Sequence, residues 1–426
     1  MQAKFSRSVM LLSLVFFCRG LSAQTTPAFS FSLPQKVLVG ASAKPGRAYV
    51  MTAIDINKDG NPDLVGHVYY VDASGNLSGG GENDILMGDG KGGFILTKSN
   101  IPSTALGHPF VDANRDGYPD VIDSYDGYYI FDPENGCQGQ VDGFLSVDLG
   151  DGMGNFRSNG FSVGVNPFTN ASTVIGDFNQ DGLPDIAMLT FSTDECAASQ
   201  SFLYVLLNNG DGTFTSQGSV SGVPIFIGWG ATNLVKGDFD GDGKPDLAFI
   251  GSSQDSIQVL HGNGDGSFHE GLTYKVDTQV YQMLAADLNN DGRTDLVIYA
   301  NAKSVPNAQG RIVTLLGEKS GGFSWYSELA ISQSPVLVGL LDLNNDGKPD
   351  LPYYTYDSAT KITSLRVYPG LGGGKFGASW LVRNLAPNEM DVFAPLKAGG
   401  PLDIFYSLSY PPNKNIYLYE ILNQSK

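Results

Sequence analysis

Short apolar runs recur along the chain, and clusters of Asp, Asn and Gly cut them off. Gln282-Met-Leu-Ala-Ala286, Leu247-Ala-Phe-Ile250 and Leu203-Tyr-Val-Leu-Leu207 are representative. Strand-length runs bounded by turn residues mark buried β-strands. Phe29 to Val39 alternates apolar and polar positions and reads as one more strand. Nothing resembles a helical period, so the chain is expected to be all-β.

A four-part unit organises the runs. Strand A enters an Asp-rich loop, strand B leaves it, strand C follows, and a glycine-rich turn leads into strand D. That turn recurs as Gly88-Asp-Gly-Lys-Gly-Gly-Phe94, Gly150-Asp-Gly-Met-Gly-Asn-Phe156, Asn209-Gly-Asp-Gly-Thr-Phe214, Asn263-Gly-Asp-Gly-Ser-Phe268, Gly317-Glu-Lys-Ser-Gly-Gly-Phe323 and Gly370-Leu-Gly-Gly-Gly-Lys-Phe376. Glycine supplies the positive φ of hairpin turns, and the phenylalanine is expected to anchor strand D between sheets. A phosphate-cradling loop would need a following helix, and none is signalled.

The Asp-rich loop occurs six times: Asp55-Ile-Asn57-Lys-Asp59-Gly-Asn-Pro-Asp63, Asp112-Ala-Asn114-Arg-Asp116-Gly-Tyr-Pro-Asp120, Asp177-Phe-Asn179-Gln-Asp181-Gly-Leu-Pro-Asp185, Asp238-Phe-Asp240-Gly-Asp242-Gly-Lys-Pro-Asp246, Asp287-Leu-Asn289-Asn-Asp291-Gly-Arg-Thr-Asp295 and Asp342-Leu-Asn344-Asn-Asp346-Gly-Lys-Pro-Asp350. Hard oxygen donors at positions 1, 3, 5 and 9, folded around the glycine at position 6, suit Ca²⁺, which takes six to eight oxygens. These 24 residues are the candidate metal ligands, for about six Ca²⁺. An EF-hand would need an acidic ligand at position 12. Gly66, Asp123, Met188, Phe249, Ile298 and Tyr353 stand there, and only one of them is acidic. Acidic turns without metal are the plainer alternative.

First aspartates of successive loops lie 49–65 residues apart, the period of a solenoid or propeller, and four strands per unit favour propeller blades. A seventh unit is degenerate: Asp403 matches the loop's end, but Pro395, Lys397 and Gly399 replace its earlier ligands. It supplies strands from Ile404 to Leu408 and from Ile416 to Leu422 and lacks strand D. The strand from Phe29 to Val39 fits that gap, and pairing there would close the ring and remove two free edges. The expected fold is a seven-bladed β-propeller of four-stranded blades over residues 24–426, closed by the N-terminal strand.

The Asp loops followed by Leu, Ile or Val, together with turns such as Asn209-Gly-Asp-Gly-Thr-Phe214, resemble the FG-GAP/VCBS repeats of the integrin-α-like propeller family. The resemblance covers residues 40–410. It implies a calcium-binding propeller in adhesion or ligand binding.

Charge agrees with metal sites. The chain carries 44 acidic and 26 basic residues for a formal charge of −18. The six loops hold 19 of those acids, so much of the acidity is site chemistry; as a whole it disfavours nucleic acid as a partner. Residues 1–23 read as a cleaved signal peptide: Lys4 and Arg7, an apolar run from Val9 to Phe17, then Leu21-Ser-Ala23. Export to the periplasm, cell surface or medium is expected, with no transmembrane segment. In that compartment Cys137 and Cys196 are disulfide candidates, and a bond between them would contribute about 4 kcal/mol.

Strand order gives the ring two ends. Asp loops and glycine turns lie at one, and the B–C and D–A connections at the other. The B–C connections vary most in length, and variable loops on a rigid scaffold are where binding sits. Tyr69, Tyr70, Tyr125, Tyr128, Tyr129, Tyr353, Tyr354, Tyr356 and Tyr410 fall at or beyond strand B. They are candidates for a protein- or glycan-binding face opposite the calcium; packing between blades is the alternative. No His-Glu-x-x-His or Gly-x-Ser-x-Gly motif is present. Glu82, Asp84, Asp126, Glu134 and Glu195 could serve a glycosidase-type pair. The expected function is therefore a ligand-binding or adhesion module with structural Ca²⁺; a propeller hydrolase or lyase acting on an extracellular polysaccharide is the alternative.

Overall fold

A computed structural model describes residues 35–421 apart from 42–45, 72–76, 92, 102–109, 126–127, 133–135, 142, 166–168, 192–199, 218–224, 302–309, 332–333, 386–390, 396–401 and 409–414. Every regular element among them is a strand. Four-stranded antiparallel sheets are arranged as a β-propeller, and six of them are built from consecutive chain in the order A-B-C-D.

Sheet 1 comprises Gly46–Ile54, Asp63–Val71, Leu77–Gly88 and Phe94–Lys98. Sheet 2 comprises Phe110–Val111, Asp120–Tyr125, Gly143–Gly150 and Phe156–Val165, with a small hairpin, Tyr128–Asp132 and Gly136–Val141, inserted between B and C. Sheet 3 comprises Thr169–Gly176, Asp185–Phe191, Gln200–Asn208 and Phe214–Gln217; Ile225–Trp229 also pairs with its strand C. Sheet 4 comprises Thr232–Gly237, Asp246–Ile250, Ser256–Gly262 and Phe268–Lys275. Sheet 5 comprises Val280–Ala286, Asp295–Asn301, Gly310–Gly317 and Phe323–Ile331. Sheet 6 comprises Pro335–Leu337, Leu351–Asp357, Ile362–Tyr368 and Trp380–Leu385. One further sheet joins distant parts of the chain: Gln35–Ala41 pairs with Asn415–Ile421, which pairs with Leu402–Leu408 and then Asp391–Pro395. Its last two strands lie against strand A of sheet 1.

The cores lie between sheets, because strand B is apolar on both faces. Ile186 and Met188 pack with Ile122, Leu145 and Val147 of sheet 2. Their neighbours Ala187 and Leu189 point the other way, to Leu247 and Phe249 of sheet 4. Alternation along a strand thus serves two interfaces at once. Equivalent clusters join sheets 1 and 2, 4 and 5, and 5 and 6. The turn phenylalanines do anchor strand D: Phe156, Phe214, Phe323 and Phe376 are buried. Phe268 and Phe323 meet the loop phenylalanines Phe178 and Phe239 edge-on, at 5.7 and 5.5 Å. Strands A of sheets 3, 4 and 5 adjoin one another, with cross-sheet bonds such as Ser172 Oγ to the Leu234 carbonyl (3.2 Å) and the Met283 N–H to Asn233 Oδ1 (3.0 Å).

Candidate metal centre

All six Asp loops fold alike. The position-1 aspartate accepts the position-5 N–H on Oδ1 at 3.0–3.2 Å. Its Oδ2 accepts the N–H of the position-6 glycine at 2.8–3.0 Å. That glycine is left-handed, from Gly347 at φ +77° to Gly117 at φ +90°. Position 4 is left-handed as well, at φ +58° to +62° for Lys58, Arg115, Gln180, Asn290 and Asn345 and +79° for Gly241. The Gly or Asn at position 4 in three loops was the only hint of this in the residues. Two left-handed residues around position 5 curl the loop so that the side chains of positions 1, 3 and 5 share one rim.

Position 9 sits beneath the rim. Asp63, Asp120, Asp185, Asp246, Asp295 and Asp350 are all at most 1% exposed. One carboxylate oxygen accepts the position-2 N–H at 2.8–2.9 Å. The other accepts the N–H of Gly88, Gly150, Asn208, Gly262, Gly317 or Gly370 at the end of strand C, at 2.7–2.9 Å. A single side chain therefore ties the loop to strand C. Burial, followed by the nearby position-1 and position-5 charges, pushes Asp120 and Asp350 up to about 6 despite those N–H donors. The position-2 carbonyl then reaches the next sheet. Ala113, Phe178 and Leu288 accept from Gly212, Gly266 and Gly374, at 3.1, 3.0 and 3.2 Å. Each of those glycines belongs to the glycine turn of the following blade. The turn aspartates Asp211 and Asp265 are held below the usual carboxylate range by the hydroxyls of Thr213 and Ser267 and by backbone N–H groups.

The donor set fits a hard dication. Asp238, Asp240 and Asp242 bring carboxylate oxygens within 4.8 Å of one another. In the other loops Asn57, Asn114, Asn179, Asn289 and Asn344 give position 3 an amide oxygen, which accepts the position-5 N–H. Lys244, Arg293 and Lys348 pair with the position-5 aspartates of their loops, which offsets only part of the crowded charge.

One side chain joins this chemistry that motif reading passed over. His261 stands before Gly262 at the end of strand C and is 9% exposed. Its Nδ1 lies 3.2 Å from Asp246 Oδ2 and 3.7 Å from Asp240 Oδ2. A buried carboxylate pair was likewise missed: Asp148 in sheet 2 is pushed up by burial and then by the charge of Asp123.

The tyrosine candidates divide. Tyr353 is 4% exposed and stacks on Tyr368 at 4.8 Å and 11°. Its hydroxyl meets Ser379 Oγ at 2.5 Å. Tyr353 therefore packs between blades, and it lines a cleft between sheets 5 and 6. Tyr354 is half-buried and Tyr356 is 53% exposed. The side chains of Tyr69, Tyr70, Tyr125, Tyr128, Tyr129 and Tyr410 lie outside the described residues. So do those of Cys137, Cys196, Glu82, Asp84, Asp126, Glu134 and Glu195, and the signal segment.

A propeller of four-stranded sheets whose A–B loops each carry an Asp cup defines the class. Residues 177–249 and 238–298 match the FG-GAP-like repeat family. Human (Homo sapiens) integrin alpha-6 is 28% identical over 204 residues, which cover 45% of this chain and 17% of the integrin. Residues 177–298 thus carry FG-GAP-like repeats, and the chain is similar to propellers of the integrin type. It spans less than a fifth of that relative's length. Among solved structures, the periplasmic gluconolactonase PpgL of Pseudomonas aeruginosa aligns with a TM-score of 0.45 at 13% identity, over 89% of this chain and all of PpgL. The V. cholerae biofilm matrix protein Bap1 aligns with a TM-score of 0.34 at 11% identity, over 94% of this chain and 71% of Bap1. No helix among the described residues is long and apolar enough to cross a membrane.

Proposed function

We propose that this protein is an exported, calcium-stabilised propeller that binds a protein or glycan ligand, as an adhesion module does. The observation that carries the reading is the wiring of the six Asp loops, each joining strands A, B and C through its position-9 carboxylate. Ca²⁺ on the rim would hold together charges that otherwise repel. At the affinity of extracellular modules, Kd about 10⁻⁴–10⁻³ M, tenfold saturation adds roughly 1.4 kcal/mol per site. Six independent sites would add about 8 kcal/mol, comparable to the stability of a whole domain. Ca²⁺ is then structural, and the domain runs from residue 24 to 426.

Seven blades are part of the proposal, with Gln35–Ala41 completing the last one. Its pairing with Asn415–Ile421 supports that reading. The ligand face lies opposite the Asp loops, where the inserted hairpin and the exposed Tyr356 sit. Similarity to an integrin supports ligand binding.

Calorimetric titration of metal-free protein with Ca²⁺ is expected to give about six sites, with a large fall in melting temperature in EDTA. A glycan array and pull-down, with and without EDTA, would then find the ligand. No calcium uptake sinks the metal reading; turnover of a polysaccharide replaces the binding module with a hydrolase or lyase.

A further inference from the structure

Two side chains of the fourth blade have no counterpart in its five siblings, and the structure places them together. Position 3 is Asp240 where the others have Asn57, Asn114, Asn179, Asn289 and Asn344. In those five, the Asn Nδ2 donates to Oδ2 of the position-5 aspartate. An aspartate cannot donate, and Asp240 Oδ2 lies instead 3.7 Å from His261 Nδ1. The residue just before the N–H that binds position 9 is the second difference: Met87, Leu149, Leu207, Leu316 and Pro369 elsewhere, His261 here. Met87, Leu149, Leu207 and Leu316 lie against a turn glycine of the next blade, namely Gly154, Gly212, Gly266 and Gly374. His261 lies likewise against Gly321, where a Cβ would come within 2.3 Å of the ring. An apolar packing position has thus become an imidazole.

That imidazole is aimed at oxygen. His261 is nine-tenths buried, at 9% exposure, and its Nδ1 is closed to solvent and makes no hydrogen bond. Nδ1 and one carboxylate oxygen each of Asp240 and Asp246 lie within 4.8 Å of one another. Neighbouring donors around a tetrahedral ion with bonds of about 2.0–2.1 Å are roughly 3.3–3.4 Å apart. The His261 separations of 3.2 and 3.7 Å bracket that spacing. Imidazole is a ligand of Zn²⁺ and other first-row ions, whereas Ca²⁺ takes oxygen.

We propose that Asp240, Asp246 and His261 form a mixed nitrogen–oxygen site for a divalent transition-metal ion of the Zn²⁺ class, taken in preference to Ca²⁺ at this one blade. Nδ1 bears the lone pair, so the ring proton stays on Nε2. Three protein ligands leave a coordination position for water. The proposal rests on the calcium reading only for what competes at this loop; the other five loops report that reading separately.

The test uses untagged full-length protein in saturating Ca²⁺, titrated with Zn²⁺ by calorimetry. Wild type is expected to bind about one Zn²⁺, with calcium stoichiometry falling by one. H261L and D240N, which install the residues of sibling repeats, are expected to weaken Zn²⁺ at least about tenfold each. Ring ¹⁵N spectra should show Zn²⁺ on Nδ1 of His261. Absence of Zn²⁺ binding in wild type, or wild-type affinity in both variants, overturns the proposal and leaves His261 as a counter-ion. Five calcium sites counted outside loop four would keep the calcium reading alive even then.

Discussion

Asp350 is shut off from solvent, yet both of its oxygens are engaged: Oδ2 accepts the Leu343 N–H and Oδ1 the Gly370 N–H, at 2.9 and 2.7 Å. Its first duty is to the backbone, whether or not an ion sits above it. D350N removes one acceptor and strands a buried donor, which costs about 1–3 kcal/mol. The loss is expected in EDTA as well as in Ca²⁺, read by urea unfolding; a cost seen only in Ca²⁺ would refute the backbone role. The same burial sets a pH dependence. Burial pushes Asp120 and Asp350 up to about 6 in the folded state, above the ordinary carboxylate range. The folded state therefore holds those protons more tightly, and the stability they contribute is present at low pH and lost as pH rises through about 6. Metal-free protein is expected to be harder to unfold at pH 5 than at pH 7. Bound Ca²⁺ favours the ionised carboxylates, so the order reverses in calcium. Urea midpoints at the two pH values, with and without EDTA, check both signs.

Each blade is legible from its residues because the two turns are written in them. Strand B was read as Leu247 to Ile250 and forms as Asp246–Ile250; strand A was read as Gln282 to Ala286 and forms as Val280–Ala286. Neighbour-dependent features were not legible. Apolar residues of strand B look the same whichever sheet they face, and the hydrogen bond from a glycine turn to the preceding blade's loop crosses about 90 residues of chain at Gly266 and Phe178. His261 escaped for the same reason: its partners come from another loop, and no local motif marks it. The joint itself is testable. Gly266 is at φ +84°, and an added Cβ would stand 2.8 Å from a Leu207 methyl; Gly243, also at φ +84°, has open space around it. G243A is expected to cost about 1–2 kcal/mol for the left-handed backbone alone. G266A carries that cost plus displacement of Leu207 from the interface. Urea unfolding should therefore rank G266A as the more destabilised; equal losses would show that the joint contributes nothing.

At the scale of the whole molecule, stability depends on every sheet having a neighbour on both sides. Sheets 2 to 5 pack through apolar clusters on both faces of strand B, so a missing neighbour would expose a core surface rather than a loop. On the proposed seven-bladed ring, the sheet that joins distant chain segments is where the ring is most easily opened. Its outer strand, Gln35–Ala41, pairs with Asn415–Ile421 from Gln35–Glu420 to Ala41–Asn415, with one register shift near Leu38. It also lies beside strand D of sheet 1, Phe94–Lys98. Removing residues up to Ala41 would leave Asn415–Ile421 with unpaired backbone along one edge, a template for pairing with another chain. The truncated protein is expected to melt lower and, because the exposed edge can pair between molecules, to associate with increasing concentration in light scattering. A synthetic peptide spanning Gln35–Ala41, added in excess, should restore much of the melting temperature by adding the strand back. If the truncated chain stays monomeric and melts where the full chain does, the ring is not closed by this strand, and its pairing with Asn415–Ile421 is an ornament on a propeller that is stable without it.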